Sequence, residues 1–258
     1  RQHPEVFMSD PKEPRFLSGF AGNTGIGPGD QQVINSSVRT WQDYLRLFSG
    51  AQGKKAIGEA SVSTLFHHEC SIAAIKRHLG DPRIIIILRD PVDSVYSTYN
   101  FLIRLGRESL PFEEALLQEG QRKRMGYSYI WLYRESRLYA PQIQAFQEAF
   151  SRVLILFYDD LQMDPSLLMR SVYAFLGVDD TVVPQAFQIQ NPSGNPRLRL
   201  LNALLVKPKR LHAVARRLGS AVMGERRWIE LRENVRRANL RKPSLPDCDL
   251  SRTGWGDC

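Results

Sequence analysis

The sequence predicts an α/β fold built around a central parallel sheet, and Arg83 to Asn100 is the segment that indicates it most clearly. Ile84 to Leu88 is an unbroken run of isoleucine and leucine, typical of a strand buried on both faces of a parallel sheet. Directly after this run, Asp90 is a suitable N-cap and Pro91 a suitable first helical residue, and apolar side chains then recur at helical spacing. Strand, tight turn and helix therefore follow one another.

The composition fits a single globular domain spanning residues 1–258. Of the 258 residues, 43% are hydrophobic, which suffices for one α/β domain with a sizeable core. No apolar run approaches the length that spans a membrane. The three cysteines, Cys70, Cys248 and Cys258, lack the paired spacing of a metal site. Two unrelated thiols are favoured over a disulfide between Cys248 and Cys258.

The net charge of +8 comes from one segment of the chain. Residues 197–242 hold 14 Lys and Arg against three Glu, whereas the remainder carries more acidic than basic side chains. A basic segment can serve an anionic cofactor, a polyanionic substrate, nucleic acid or a membrane surface, or it can be the solvated face of a helix. The sequence alone favours neither anion binding nor a solvated face.

Arg89 and Ser97 are the first candidate anion-binding residues. Arg89 follows the predicted strand, at the carboxyl end where open α/β sheets bind their ligands. Ser97 comes two helical turns after Asp90, and its side chain leans toward the helix N-terminus. A guanidinium, a hydroxyl and backbone N–H groups can then converge on one phosphate. The alternative is a structural Arg89 that pairs with Asp90 or Asp93.

Five segments of the chain occur in the order in which a known family carries its motifs. They are PKEPRF (Pro11 to Phe16), IGEAS (Ile57 to Ser61), RDPVDSVYS (Arg89 to Ser97), the strand–turn–helix segment ending in FLGV (Val153 to Val178), and LRKPSLP (Leu240 to Pro246). Together they resemble sulfotransferases that use PAPS (3′-phosphoadenosine 5′-phosphosulfate), closest to bacterial and heparan-sulfate sulfotransferases. The resemblance spans about residues 1–246 and implies a P-loop-NTPase-like, three-layer α/β/α fold with a central parallel sheet.

The resemblance also implies roles for individual residues. It makes Glu13 the general base that takes a proton from the acceptor hydroxyl, with Lys12 and Arg15 as basic neighbours. The alternative for Glu13 is an exposed loop carboxylate paired with one of those neighbours. By the same resemblance, Arg89 and Ser97 bind the 3′-phosphate of the nucleotide.

The late basic loop completes the implied nucleotide site. The resemblance makes Arg241 and Lys242 part of a loop that closes over the nucleotide. PAPS is the implied co-substrate, and no metal is expected. The implied acceptor bears a hydroxyl or an amine, and polysaccharides are among the candidates. We expect no nucleic-acid partner, and the sequence does not indicate an oligomeric state.

The family's first strand and its Lys-Ser/Thr-Gly-Thr-Thr loop, which cradles the 5′-phosphosulfate, are not found in the 258 residues. Gly22 to Asp30 is rich in glycine but lacks a suitably placed lysine, and we predict a flexible surface loop there. We therefore expect these residues alone to transfer sulfate slowly or not at all. Two alternatives are a non-catalytic, polyanion-binding relative that has lost the loop, and, less favoured, a nucleotide kinase.

The remaining pattern predicts further elements. His67 and His68 are expected to be surface histidines, because neighbouring residues on a helix face different ways. The predicted elements are a helical face on Trp41 to Phe48, a strand at Ala56 to Ala60, a helix at Cys70 to Leu79, a core helix at Gly126 to Phe150, a strand at Val153 to Tyr158, and a helix at Ser166 to Leu176 that Gly177 ends.

Overall fold

The structure is a computed structural model that describes residues 2–22, 25–182, 195–196 and 240–241. Its strands and α-helices are, in chain order, β1 (Val6–Met8), α1 (Asp30–Asn35), α2 (Trp41–Arg46), β2 (Ala56–Gly58), α3 (Ser63–Phe66), α4 (His68–Leu79), β3 (Ile84–Leu88), α5 (Pro91–Arg104), α6 (Phe112–Leu117), α7 (Glu119–Met125), α8 (Tyr139–Ala149), β4 (Val153–Phe157), α9 (Tyr158–Met163), α10 (Pro165–Leu176), β5 (Asn195–Pro196) and β6 (Leu240–Arg241). Three short 3-10 turns occupy Phe20–Gly22, Tyr129–Trp131 and Glu135–Arg137.

The chain divides into two compact units. The first comprises Arg1–Pro91 and Glu119–Gln188 and contains β1 to β4. The second comprises Val92–Gln118 and Ile189–Cys258 and contains α5 beyond its first residue, α6, and the antiparallel pair β5–β6. The interpretation of residues 1–258 as one domain stays a prediction.

Two parallel strand pairs form the framework of the first unit and confirm the predicted α/β class. In one pair β1 lies beside β2, and in the other β3 lies beside β4 in a register that runs from Ile84–Val153 to Leu88–Phe157. Parallel strands require a long crossover between them, and helices lie in both crossovers: α1 and α2 between β1 and β2, and α5 to α8 between β3 and β4. The carboxyl ends of the two strands in each pair therefore lie at the same edge.

Strand β3 is buried on one face only, which corrects the prediction of burial on both faces. Ile86 and Leu88 lie in the core, whereas Ile85 and Ile87 are 39% and 49% exposed. Side chains alternate between the two faces of a strand, so covering one face buries every second residue. A continuous apolar run does not reveal how many faces are covered.

The core of the first unit lies between β3 and three helices. Helices α2, α4 and α8 direct apolar and aromatic side chains onto the inner face of β3. The fully buried members of this cluster are Leu17, Tyr44, Ile75, Ile86, Leu88, Phe146 and Phe150. The predicted helical face of Trp41 to Phe48 is thus confirmed as a core face, except that Leu45 is exposed.

Helix boundaries follow local capping signals. Thr40 precedes α2 and its hydroxyl accepts a hydrogen bond from the backbone N–H of Asp43 at 3.1 Å. Asp164 caps α10 by accepting from the N–H groups of Ser166 and Leu167, and Gly177 ends that helix in the left-handed conformation, as predicted.

Helix α5 begins at Pro91, as the sequence predicts, and its apolar face lies in the second unit. Tyr96 and Tyr99 contact the ring of Phe112 from α6 with centroid distances of 5.1 Å. The Tyr99 hydroxyl donates to the carbonyl of Leu110 at 3.0 Å, just before Pro111 starts the next helical segment. These contacts join α5 to α6.

The described part of the predicted surface loop at Gly22 to Asp30, from Gly25 onward, is instead tied into the first unit by a buried carboxylate. Asp30 is 1% exposed, and its two oxygens accept four hydrogen bonds. The donors are the backbone N–H of Gly27, the N–H and hydroxyl of Ser128, and the indole N–H of Trp131, at 2.6 to 3.1 Å. Four donors compensate the desolvation of this carboxylate.

The predicted core helix at Gly126 to Phe150 is also corrected. Only Tyr139–Ala149 forms an α-helix, and two 3-10 turns precede it. Two buried carboxylates accept hydrogen bonds from backbone N–H groups that would otherwise bond within a helix. Asp30 accepts from the N–H of Ser128, and Glu119 accepts from the N–H groups of Arg134 and Glu135. The irregular path is therefore specified by side chains from distant parts of the sequence.

Replacing Asp30 by asparagine should destabilise the first unit. The amide NH₂ would face two buried donors, so the substitution Asp30→Asn should lower the free energy of unfolding by about 2 to 5 kcal/mol. Urea unfolding measures the change. Asp160→Asn, at an exposed position, is the matched control and should change stability by less than about 0.5 kcal/mol. Equal effects of the two substitutions would contradict the assigned role of Asp30.

Candidate functional site

The chain segments that follow β1 and β2 run side by side at the carboxyl edge of this strand pair. The N–H of Ser9 donates to the carbonyl of Gly58 at 3.0 Å, and the N–H of Ala60 donates to the carbonyl of Lys12 at 3.2 Å. These bonds continue the pairing beyond the strands. They bring Glu13, from the first segment, to the same edge as Glu59, from the second.

Glu13 forms an ion pair with Arg15, and both side chains are only partly exposed. Arg15 Nη2 donates to Glu13 Oε2 at 2.8 Å, and Arg15 Nη1 donates to the backbone carbonyl of Glu13 at 3.1 Å. The other carboxylate oxygen, Glu13 Oε1, has no hydrogen-bond partner within the described part of the chain. This geometry leaves one oxygen able to accept a proton while Arg15 fixes the orientation of the carboxylate.

Arg15 adopts a left-handed backbone conformation, with φ of 58°. Side chains with a Cβ rarely adopt this conformation, which costs about 1 kcal/mol or more. The N–H of Arg15 donates to the hydroxyl of Ser61 at 3.0 Å, so the strained residue is held from the neighbouring segment. This turn brings the Arg15 guanidinium back to the carboxylate of Glu13, two residues earlier in the chain.

Glu59 is a second carboxyl group at this edge, with different properties. Its Oε2 accepts a hydrogen bond from the Ser61 hydroxyl at 2.7 Å. Burial raises the pKa of Glu59 above its ordinary value, and the charge of Glu13 raises it further, while the bonds from Ser61 and the charge of Arg15 oppose the shift. The two carboxyl groups therefore sit in contrasting environments, one paired with a cation and one desolvated.

An aromatic cluster adjoins Glu13. Burial raises the pKa of the Tyr129 hydroxyl to about 12, and the charge of Glu13 adds to this effect. The Tyr129 ring stacks on Phe66 at 5.5 Å and meets His67 edge-on at 5.7 Å. Burial, followed by the charge of His68, lowers the pKa of His67, which favours a neutral imidazole. His67 is thus packed among aromatic rings rather than lying at the surface as predicted.

Arg89 lies at the carboxyl edge of the second strand pair. It follows β3 directly, and its guanidinium stands over the ring of Tyr158, the first residue after β4, at 5.3 Å. This distance is within the range of a cation–π contact, which places the guanidinium beside the first residue after β4. The predicted position of Arg89 at a strand end is confirmed.

The other predicted nucleotide-binding residues belong to the second unit. Ser97 is in α5 of the second unit, so its proximity to Arg89 stays a prediction. Arg241 forms a backbone pair with Asn195 in β6–β5, and Lys242 lies outside the described residues, as does most of the basic segment. Their roles also stay predictions.

Several residues at these edges were not singled out from the sequence. Arg137 lies in the turn before α8, within a segment interpreted as a core helix, and Tyr129 belongs to the same segment. One signal could have indicated Arg137: it directly precedes a helix that leads into a strand, which is where the carboxyl edge of a parallel sheet lies. No local pattern marks the contact of Ser61 with Arg15.

Metal-binding clusters and membrane-spanning helices are both absent from the described residues. Across residues 2–22, 25–182, 195–196 and 240–241, no group of three or more His, Cys, Asp or Glu is arranged to hold a metal ion. No helix among the described residues has both the length and the apolar composition needed to cross a membrane.

Glu59 should make stability depend on pH. Its pKa is raised in the folded state, so the folded protein holds a proton more tightly than the unfolded chain. Stability from this group is complete below the ordinary pKa of 4.5 and is lost as the pH rises through the folded value. The substitution Glu59→Gln is the reference, because its amide does not titrate. Relative to this variant, the wild type should lose stability as the pH rises from about 4 to about 8. The loss should be about 1.4 kcal/mol for each pH unit that separates the folded and unfolded pKa values of Glu59. Urea unfolding across this range measures the difference.

The control for this experiment is Glu148→Gln, at an exposed carboxylate. Its stability difference from the wild type should stay nearly constant over the same pH range. A wild type that gains stability relative to Glu59→Gln as the pH rises would contradict the assigned environment of Glu59.

Comparison with known proteins agrees with the motifs and the strand pairing. A family model described as the sulfotransferase family matches residues 26–182. The chain is also similar to the crystal structure of a sulfotransferase from Alicyclobacillus acidocaldarius, with 32% identity and a TM-score of 0.69, over 88% of this chain and 90% of that one. Comparison with curated proteins gave no match. The sequence-based resemblance and the P-loop-like α/β fold are confirmed, and the chain belongs to the sulfotransferase family.

Proposed function

We propose that this sulfotransferase takes its sulfuryl group from PAPS and transfers it to a hydroxyl or amine acceptor, with Glu13 as the general base. The observation that carries the proposal is the Glu13–Arg15 pair at the carboxyl edge of β1–β2. The carboxylate is partly shielded from water, is oriented by one arginine that bonds both its Oε2 and the backbone carbonyl of Glu13, and has one oxygen available. These are the properties that general-base catalysis requires.

The reaction transfers the sulfuryl group directly from the bridging phosphate oxygen of PAPS to an oxygen or nitrogen atom of the acceptor. Glu13 Oε1 accepts the proton of the acceptor as the acceptor atom attacks sulfur. The bond between sulfur and the bridging phosphate oxygen breaks, and PAP (3′-phosphoadenosine 5′-phosphate) leaves with the electron pair. By analogy with phosphoryl transfer, charge spreads over the equatorial oxygens, so positioning and charge stabilisation supply most of the catalysis.

Three basic residues and one serine hold the nucleotide in this proposal. Arg89 and Ser97 bind the 3′-phosphate, which the Arg-x7-Ser spacing and the position of Arg89 directly after β3 support. Arg241 and Lys242 close over the nucleotide. The acceptor class includes carbohydrates, since a basic chain accommodates anionic polysaccharides.

Glu13→Gln should abolish most of the transfer while sparing nucleotide binding. The amide cannot accept a proton, so the rate of transfer from radiolabelled PAPS to 4-nitrophenol, glucosamine or desulfated heparan should fall roughly 100- to 10,000-fold. The assay uses high enzyme concentration so that slow transfer by the variant can still be measured. The dissociation constant for PAP, measured by calorimetry, should change less than about twofold.

The matched control is Glu148→Gln, which should leave the transfer rate unchanged. Wild-type transfer by Glu13→Gln would rule out Glu13 as the base. Loss of PAP binding in the same variant would assign Glu13 to nucleotide binding instead.

Arg89→Ala separates the enzyme from a polyanion-binding protein. If Arg89 binds the nucleotide, the dissociation constant for PAP should rise roughly 10- to 100-fold, because charge-assisted bonds to a phosphate are lost. Heparin binding should be unaffected. Arg170→Ala, at an exposed position of α10, is the control for net charge. Unchanged PAP binding by Arg89→Ala would refute the assignment, and heparin binding that depends on Arg216 and Arg217 would then favour the polyanion-binding alternative.

A further inference from the structure

Hydrogen bonds join the segment that follows β1 to the segment that follows β2 at four places. The bonded pairs, with donor–acceptor distances of 2.8 to 3.2 Å, are Ser9–Gly58, Lys12–Ala60, Arg15–Ser61 and Ser18–Ser63. In the Arg15–Ser61 pair each partner also contacts a carboxyl group, because Arg15 pairs with Glu13 and Ser61 bonds to Glu59. This pair therefore links the two carboxyl groups at the carboxyl edge of β1–β2.

The Ser61 hydroxyl uses both its donor and an acceptor position. It donates to Glu59 Oε2 at 2.7 Å and accepts from the backbone N–H of Arg15 at 3.0 Å. A hydroxyl carries one proton and two lone pairs, so directing the proton to Glu59 directs the lone pairs to other donors. Glu59 thus fixes the rotation of the hydroxyl, and this rotation aims an acceptor at the Arg15 N–H.

Both peptide groups that flank the Cα of Arg15 are held by serine hydroxyls. Ser61 accepts from the Arg15 N–H, and the hydroxyl of Ser18 donates to the Arg15 carbonyl at 3.1 Å. Fixing two successive peptide planes fixes the backbone angles between them, and here φ is held at 58°. A residue with a Cβ keeps this conformation only where its surroundings impose it. Without the bond to Ser61, Arg15 should return to a negative φ.

The backbone angle of Arg15 determines where its guanidinium lies. At the observed φ, Nη2 donates to Glu13 Oε2 at 2.8 Å and Nη1 donates to the Glu13 carbonyl at 3.1 Å. Rotation about the N–Cα bond of Arg15 changes the direction of the whole side chain, so both contacts depend on φ. A displacement of about 1 Å in a reacting group can cost roughly 100-fold in rate.

We propose that Ser61 and Glu59 are positioning residues for the transfer reaction. Glu59 orients the Ser61 hydroxyl, and Ser61 holds Arg15 in the left-handed conformation. Arg15 in turn holds the carboxylate of Glu13 so that Oε1 faces the acceptor. The inference rests on the proposed function, because it takes Glu13 as the base. Glu59 contributes to transfer in this arrangement without exchanging a proton with the acceptor.

Ser61→Ala should slow transfer while sparing nucleotide binding. The rate of transfer from radiolabelled PAPS should fall roughly 10- to 100-fold, because Glu13 is no longer held in place. The dissociation constant for PAP should change less than about twofold, since the nucleotide is bound elsewhere. Ser61→Thr keeps the hydroxyl and should retain most of the rate. Ser36→Ala, at an exposed serine, is the matched control and should transfer as the wild type does.

Two substitutions of Glu59 test whether it acts through Ser61. Glu59→Gln keeps a side-chain oxygen that accepts from the Ser61 hydroxyl, so it should retain most of the transfer rate. Glu59→Leu has no acceptor and should slow transfer as Ser61→Ala does. Equal rates for these two variants of Glu59 overturn its positioning role.

A double-mutant cycle distinguishes positioning from general stabilisation of the fold. If Ser61 acts through the Arg15 guanidinium, adding Ser61→Ala to Arg15→Gln should slow transfer by less than about twofold further, because the contact that Ser61 supports is already lost. A serine that only stabilises the fold lowers the rate by the same factor in both backgrounds. Equal factors overturn the inference.

Crystal structures provide a measurement that does not depend on turnover. In Ser61→Ala, φ of Arg15 should become negative and the distance from Arg15 Nη2 to Glu13 Oε2 should exceed about 4 Å. Both values should stay as in the wild type in Ser36→Ala. If Ser61→Ala does not fold, Ser61→Cys, whose thiol is a weak hydrogen-bonding group, carries the same measurement. A variant that keeps the wild-type values overturns the inference, whatever its transfer rate.

The transfer rate of Glu13→Gln separates this inference from the proposed base. An inactive Glu13→Gln together with a fully active Ser61→Ala overturns the positioning role and leaves Glu13 as the base. A Glu13→Gln that transfers as fast as the wild type overturns the base, and the positioning role with it.

Discussion

Two carboxylates shielded from water, Asp30 and Glu119, fix the path of the segment that carries Tyr129 and leads to Arg137. A buried carboxylate is stable only when donors surround it, and here most donors are backbone or side-chain N–H groups of residues 127–135. This stretch has little regular structure of its own, yet it carries Tyr129 and leads to Arg137. The polar interior therefore positions the site, while the apolar core holds the strands and helices that frame it.

The two parallel strand pairs carry different charged groups at their carboxyl edges. The edge of β1–β2 carries Glu13, which is paired with Arg15, and the desolvated Glu59. The edge of β3–β4 carries Arg89. The first edge therefore offers carboxyl groups with two different environments, and the second offers a guanidinium beside an aromatic ring.

Local sequence signals were sufficient to predict the elements whose structure is specified by neighbouring residues. The strand–helix junction at Pro91, strand β4 and the ends of α10 follow from short apolar runs, a proline and a glycine, and all are confirmed. The family, and with it the α/β fold, could be predicted because its motifs combine such local features. The role of Glu13 came from resemblance alone.

Long-range pairing explains what the sequence could not show. Asp30 meets Ser128 across 98 residues, and Arg15 meets Ser61 across 46, and no periodicity relates these positions. The loop at Gly22 to Asp30 therefore looked unstructured, and the segment around Arg137 looked helical. The burial of β3 on a single face likewise depends on what packs against it, which a run of isoleucines does not encode.

The left-handed backbone of Arg15 has a consequence for protein engineering. Glycine is the residue that this conformation favours, so a search for stabilising substitutions would select it at position 15. Such a variant would relieve the backbone strain but remove the cation that orients Glu13. Position 15 is thus a place where relaxing the main chain and holding a carboxylate in place favour different amino acids.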